Sequence, residues 1–128
     1  MSFVSFELAG QASYGIWENE STWLQVPAAF KAQYPDLKSV IAAGKLDELN
    51  AAARQAGHKV EANTARLLPV IPSPGKIFCI GLNYKTHVAE TKRAESEYPS
   101  IFTRFVDSLS AHNAPLPRPK ETKRFDSE

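Results

Sequence analysis

The chain has 128 residues, 43% of them hydrophobic and 23% charged, and its 15 basic and 14 acidic side chains leave a net charge of +1. Such a balance gives no broad field for gripping nucleic acid or an anionic membrane, and no arginine-aromatic interleaving supplies one locally. The amino end, Met1-Ser2-Phe3-Val4-Ser5-Phe6-Glu7, lacks the basic start and apolar core of an export signal, and no run of about 18 apolar residues occurs, so a soluble cytoplasmic protein is expected.

Val4, Phe6 and Leu8 alternate with Ser5 and Glu7, the pattern of a half-buried strand, and Ala9-Gly10-Gln11 supplies a turn. Tyr14 and Ile16 continue the alternation, Asn19-Glu20-Ser21 breaks it, and Thr22 to Val26 resumes it. The first quarter thus reads as a small antiparallel meander whose aromatic residues are its core rather than a ligand box.

The period changes between residues 36 and 57. Asp36 is placed as an N-cap, Leu37, Val40 and Ile41 are spaced to share a helix face, and Gly44 ends it. A second helix has Asp47 and Glu48 in its first turn, a thin stripe of Leu46, Leu49 and Ala53, Arg54 near its end, and Gly57 to close it, as the helix dipole favours. His58 falls in a polar exit loop and reads as solvated. The stretch Leu67 to Gly75 holds three prolines and a glycine, which end regular structure, so a boundary is set near residue 72. Residues 1–72 form a small α+β unit, with a core that is marginal without a partner surface, and residues 73–128 begin a second domain.

Ile77-Phe78-Cys79-Ile80 is apolar on both faces, as in a central strand, and Gly81 then allows a sharp turn toward Asn83 and Tyr84. Cys79 is the chain's one cysteine and reads as a small buried hydrophobe rather than a nucleophile. Thr86 caps a short helix on which His87 and Glu90, at i and i+3, project from one side. An imidazole oriented by a carboxylate is a general base near neutral pH. The spacing alone is equally that of a solvated helix. The segment from Thr86 to Glu97 has little to bury, however, and suits either a polar flap over a substrate or a surface loop.

The run Pro74-x-Lys76-Ile77-x-Cys79-Ile80-Gly81-Leu82-Asn83-Tyr84-x-x-His87-x-x-Glu90 resembles the signature of the fumarylacetoacetate hydrolase family, particularly its bacterial 2-hydroxyhepta-2,4-diene-1,7-dioate isomerase and fumarylpyruvate hydrolase members. Pro99 to Phe105 resembles that family's next strand, His112 to Pro119 its proline-rich connection, and Phe125-Asp126-Ser127-Glu128 the start of its Asp-x-Glu-x-Glu-Leu segment. Residues 1–60 are similar, more loosely, to the small amino-terminal domain of bacterial members. The resemblance implies an α+β protein: a small amino-terminal antiparallel β meander with two helices, then the first strands of a β-rich catalytic domain, truncated at Glu128.

It also implies a divalent ion, Mg²⁺ with Mn²⁺ or Ca²⁺ as alternatives, held by oxygen ligands of which Glu128 is the one this chain supplies. A lone carboxylate holds such an ion poorly, so the 128-residue chain by itself is expected to be inactive. By the same resemblance His87 activates water and Glu90 orients His87. Arg104 is the candidate for the substrate's carboxylate, to which a guanidinium is suited, with a surface ion pair as the alternative, and Tyr84 and His112 are further substrate-binding candidates that equally suit structural hydrogen bonds. The implied activity is hydrolysis or isomerisation of 2-oxo or 2,4-dioxo acids or their enols in aromatic catabolism, by a homodimer in the full-length protein. Oxaloacetate decarboxylation within the family is the nearest rival, and a non-catalytic binding or dimerisation module is the alternative from another class. The basic run Arg118, Lys120, Lys123 and Arg124, with Glu121 among them, reads as a solvated loop.

Overall fold

A computed structural model describes residues 2–81 and 98–123. The chain opens with strand β1 (Phe3–Leu8) and strand β2 (Gln11–Trp17), antiparallel in a register from Leu8↔Gln11 to Phe3↔Ile16. Ala9 and Gly10 between them have φ of 50° and 79°. Two left-handed residues make the type of two-residue turn whose twist matches the flanking strands. The expected turn is therefore present, tighter by one residue.

Strand β3 (Thr22–Gln25) pairs with β2 after a polar corner in which Asn19 Oδ1 accepts the Ser21 backbone N–H at 2.9 Å. At Gly15, a Cβ atom would stand 1.9 Å from the Leu24 carbonyl oxygen. Any side chain there forces β2 and β3 apart, so glycine is required by close approach rather than by its torsions.

Three helices follow. Helix α1 (Ala28–Gln33), after Pro27, has no apolar stripe long enough to signal it and went unread in the sequence. Helix α2 (Leu37–Ala42) begins as expected at Asp36, whose carboxylate accepts the Ser39 N–H at 2.7 Å while Ser39 Oγ takes the Asp36 N–H. Leu37 and Val40 are buried, but Ile41 is 50% exposed, so the expected three-residue face narrows to two. Helix α3 (Leu46–Ala56) buries Leu49 and Ala53 and ends at left-handed Gly57; Arg54 near its end reaches Glu18 at 2.6 Å. His58 is exposed, and its carbonyl accepts the Gln25 N–H at 2.8 Å.

Strands β4 (Lys59–Glu61) and β5 (Ala65–Leu67) enlarge the expected meander to a five-stranded antiparallel sheet of order β4-β3-β2-β1-β5. The two edge strands are joined by one 3₁₀ turn, Ala62–Thr64. A flat sheet of this size would be about 19 Å across. The connection spans at most about 14 Å. The sheet must therefore curl.

Curling gives it two cores. On one face Tyr14, Ile16, Leu24 and Val26 pack with Leu37 and Val40 of α2 and Leu49 and Ala53 of α3. On the other, Val4, Phe6, Trp23 and Val60 meet one another, with Ala65 and Leu67 from the far edge closing on the same cluster. Phe6 and Trp23 lie 5.3 Å apart by ring centroids, and Trp17 stacks on Trp23 at 5.6 Å and 29°. The unit thus holds a core of its own on each side of the sheet, more than the sequence suggested.

The proline-rich segment after β5 is fastened to this unit. Leu68 N–H donates to the Ser5 carbonyl at 2.9 Å, Ser5 Oγ donates to the Val70 carbonyl at 2.6 Å, Ile71 packs on the helix-side core, and Lys38 Nζ reaches the Ser73 carbonyl at 3.0 Å. A separate two-stranded antiparallel sheet follows, formed by β6 (Ile77–Gly81) and β7 (Ser100–Arg104). No helix among the described residues is long and apolar enough to cross a membrane.

Candidate functional site

The β6–β7 ribbon is where the sequence placed the chemistry. Its register pairs Ile77 with Arg104, Cys79 with Phe102 and Gly81 with Ser100, so alternation puts these six on one face. Phe78, Ile80, Ile101 and Thr103 occupy the other. On the first face Arg104 lies over the Phe102 ring, 5.9 Å from its centroid, and the Phe102 ring edge crosses Gly81, where a Cβ atom would be 3.3 Å away. Gly81 is thus the last paired residue of β6, and its φ is not in the left-handed region occupied by Gly10, Gly44 and Gly57. Its value at this point is room for an aromatic ring; the turn expected from it toward Asn83 and Tyr84 lies outside the described residues.

The ribbon also corrects the expectation of a buried central strand. Phe78 is 62% exposed, Ile80 47% and Ile101 61%, and among the described residues β6 pairs with β7 alone. Cys79 is a free thiol of intermediate exposure on β6, opposite Phe102, rather than sealed inside a core.

Of the expected site residues, Tyr84, His87, Glu90 and Glu128 lie outside the described residues. Arg104 is exposed on β7. His112 sits in the turn that precedes the proline-rich stretch, next to Asn113 with φ of 60°, and borders a cleft against the curled sheet. Arg104 is not among the described residues that line that cleft, so the structure does not gather the two proposed substrate contacts. No group of three His, Cys, Asp or Glu side chains placed to hold a metal occurs among the described residues. Farther along, Arg118 donates to the Thr122 carbonyl, and the described part of the basic run is exposed as expected.

The cleft has a volume of about 890 Å³ and was not anticipated from the sequence. It opens where β5, paired with Phe6–Leu8, leaves the amino-terminal half of β1 beyond its reach. Trp17, Trp23, Val4, Leu67 and Val70 form its apolar wall, with Arg66, Glu20 and His112 as its ionisable groups. Arg66 is engaged by Glu7 at 3.1 Å. The sequence carried one signal for it: two tryptophans, six residues apart, on adjoining strands of a sheet too small to bury both.

Comparison with known proteins bears on the ribbon and the chain beyond it. Residues 76–128 match the family described as Fumarylacetoacetate (FAA) hydrolase C-terminal, and the match begins one residue before β6. A Dictyostelium discoideum fumarylacetoacetate hydrolase domain-containing protein 2 homolog is 42% identical over 55 residues, covering 43% of this chain and 18% of that protein. A mitochondrial oxaloacetate tautomerase of Xenopus laevis is 34% identical over 71 residues, covering 56% of this chain and 22% of its own length. An uncharacterised Staphylococcus aureus protein aligns over the whole chain, at 28% identity across 147 positions and 49% of its length. The chain therefore spans about half of that relative and about a fifth of the other two. With the signature around β6 and the family match from Lys76 onward, it is residues 76–128 of this chain that carry the likeness to the fumarylacetoacetate hydrolase family.

Proposed function

We propose that this protein acts on 2-oxo and 2,4-dioxo acids or their enols, as a hydrolase of acylpyruvate-type substrates or an isomerase of 2-hydroxymuconate-type ones. The observation that carries the reading is the family match over residues 76–128, which contains the His87 and Glu90 pair. In hydrolysis the imidazole of His87 takes a proton from water as the water oxygen bonds to the distal carbonyl carbon. The Glu90 carboxylate accepts the other imidazole N–H, fixing the tautomer and stabilising the imidazolium. The carbon-carbon bond then breaks, its electron pair becomes the enolate of the 2-oxo acid fragment, and the proton held by His87 is returned to carbon. Isomerisation uses the same proton movement without the attack of water.

A divalent cation, Mg²⁺ or alternatively Mn²⁺ or Ca²⁺, belongs to this reading, with Glu128 as one carboxylate ligand; when bound it supplies charge stabilisation for the enolate oxygen. The described residues do not themselves assemble such a site, and the proton transfers above rest on His87 and Glu90 alone. Arg104, Tyr84 and His112 are assigned to substrate, the first as a partner for its carboxylate. A cytoplasmic homodimer completes the reading.

A second reading rests on the Xenopus relative, which is named an oxaloacetate tautomerase. Keto-enol exchange of oxaloacetate needs a base to remove a proton beside the carbonyl and return it at oxygen, work that the same dyad does. Decarboxylation of oxaloacetate differs in that carbon dioxide leaves in place of the proton.

The experiment is turnover of an acylpyruvate and of oxaloacetate by the purified full-length protein with saturating Mg²⁺, before and after EDTA, for the wild type and His87→Ala. Loss of a general base costs roughly 10²- to 10⁴-fold in rate. The expected result is a drop of that size in kcat for His87→Ala with unchanged thermal unfolding. Enol-keto exchange of oxaloacetate without acylpyruvate cleavage selects the tautomerase. Equal rates for wild type and variant, or none above buffer on any of these acids, overturn the proposal.

A further inference from the structure

The face of the ribbon that carries Arg104 holds a chain of contacts that the chemistry above does not use. Along it the paired residues run in the order Ile77 with Arg104, Cys79 with Phe102, and Gly81 with Ser100. The last pair ends the ribbon on the side from which the chain continues to Tyr84, His87 and Glu90. Arg104 does not stand over its own partner. It reaches back along β7 by one pair, which sets its guanidinium carbon over the Phe102 ring at 5.9 Å from the centroid. The Phe102 ring is displaced the same way, since its edge crosses Gly81, where a Cβ atom would be 3.3 Å from it. Both side chains thus lean toward the Gly81 end.

A guanidinium stacks on an aromatic face through its own flat face, whereas it meets a carboxylate through the N–H bonds in its plane. One side chain can therefore do both at once. Stacking also offsets the rotamer entropy that a long side chain loses when it is held in one direction. Phe102 is 37% exposed, so its ring is presented on the ribbon face and replacing it tests orientation rather than a filled core.

We propose that Phe102 is a positioning residue: its ring holds the Arg104 guanidinium toward the Gly81 end of the ribbon, in the orientation that takes the carboxylate of a 2-oxo acid. Gly81 belongs to the same device, because a side chain there would displace the ring. The proposal rests on Arg104 as the carboxylate contact of the preceding reading.

The test uses the full-length protein in two measurements. In the first, the Nε–H signal of Arg104, assigned by Arg104→Lys, is followed by ¹⁵N NMR. Ring current is expected to displace it in the wild type and in Phe102→Tyr, and Phe102→Leu should return it toward the other arginines. In the second, saturation curves with an acylpyruvate and with oxaloacetate are taken in Mg²⁺. Phe102→Leu should raise KM roughly two- to fivefold, the equivalent of an exposed cation–π contact, with kcat changed less than twofold. Phe102→Tyr should restore KM. Arg104→Ala should raise KM roughly tenfold or more, and adding Phe102→Leu to it should raise KM no further.

Three results overturn the proposal and leave the functional reading in place. They are an Arg104 signal that Phe102→Leu does not move, a KM that Phe102→Leu leaves unchanged where Arg104→Ala raises it, and losses that add in the double variant, which mark a structural role. A KM that Arg104→Ala leaves unchanged removes Arg104 as the carboxylate contact and overturns the proposal as well. Absence of turnover in the wild type overturns the functional reading and this proposal together, and is told apart because it appears before any variant is made.

Discussion

The curled sheet and the β6–β7 ribbon are built from similar apolar fractions and end in opposite conditions. In the first, twelve hydrophobic residues are buried on two faces of one sheet, and each face is closed by something the same segment supplies, helices on one side and its own far edge on the other. In the second, Phe78, Ile80 and Ile101 stand exposed along paired strands. A two-stranded ribbon is marginal in water by itself. Hydrophobicity of a strand therefore says little about its own stability; what decides it is whether the chain brings a second layer to the same place.

That contrast fixes where a substitution is felt. The largest effect is expected at Gly15, because a Cβ atom 1.9 Å from the Leu24 carbonyl cannot be absorbed by a side-chain shift and must separate β2 from β3. Gly15→Ala should cost about 3 kcal/mol or more, in the range of severe overpacking. Urea unfolding followed by tryptophan fluorescence measures it, since both tryptophans lie in this unit. A loss below about 1 kcal/mol would mean that the two strands are not held as closely as described.

The same contrast separates what the sequence discloses from what it hides. The hairpin, the Asp36 cap, the Gly57 end of α3 and strand β6 follow from local signals: alternation, a side chain that competes for backbone N–H groups, glycine torsions, an apolar run; β7 follows from the family resemblance. β4 and β5 are three residues each, too short to show a period, and their place in the sheet depends on pairing across the fold. Ile41 and Phe78 are read as buried because they are apolar, yet burial is set by neighbours that local sequence does not name. The signature around His87 and Glu90 is visible as a family pattern, not as geometry, and these two lie outside the described residues. Conversely the cleft has geometry and no motif, because its wall comes from four stretches distant in sequence.

A pH effect of intermediate size is expected from Tyr14, which donates its hydroxyl proton to the Tyr34 carbonyl and ties the sheet to the turn before α2. Burial pushes its pKa up to about 12, with the nearby Asp36 carboxylate adding to the shift. The folded state therefore holds this proton more tightly than the unfolded chain, whose tyrosine titrates near 10. The stabilisation is complete below pH 10 and is lost as pH rises from about 10 to 12, by at most about 3 kcal/mol in all. Tyr14→Phe removes that dependence, so stability of the variant should be flatter than the wild type across the interval once the other tyrosines are matched. Parallel slopes would assign the alkaline loss elsewhere.

Helix capping gives a smaller and more local change. Asp36→Ala removes the acceptor of the Ser39 N–H and leaves α2 with an open first turn, at a cost of about 1 kcal/mol. Asp36→Asn keeps an acceptor oxygen and should recover most of it in the same unfolding experiment. If asparagine and alanine are equally destabilising, the carboxylate's charge rather than its hydrogen bond is what α2 uses, a dipole effect that added salt should then screen.

The smallest effect is expected at Phe78, and it is the one that tests the ribbon. A phenylalanine in a filled core costs about 3–5 kcal/mol when truncated, because contacts are lost and a cavity remains. Phe78 is 62% exposed, so Phe78→Ser should change unfolding of the tryptophan-containing unit by less than about 0.5 kcal/mol while removing apolar surface that favours self-association. Sedimentation velocity of the two proteins at several concentrations provides the second measurement. Unchanged stability with reduced self-association is the behaviour of an uncovered strand face. A loss of several kcal/mol would show Phe78 packed in solution against another surface, and the difference between this ribbon and the curled sheet would then lie in which polypeptide covers it rather than in whether it is covered.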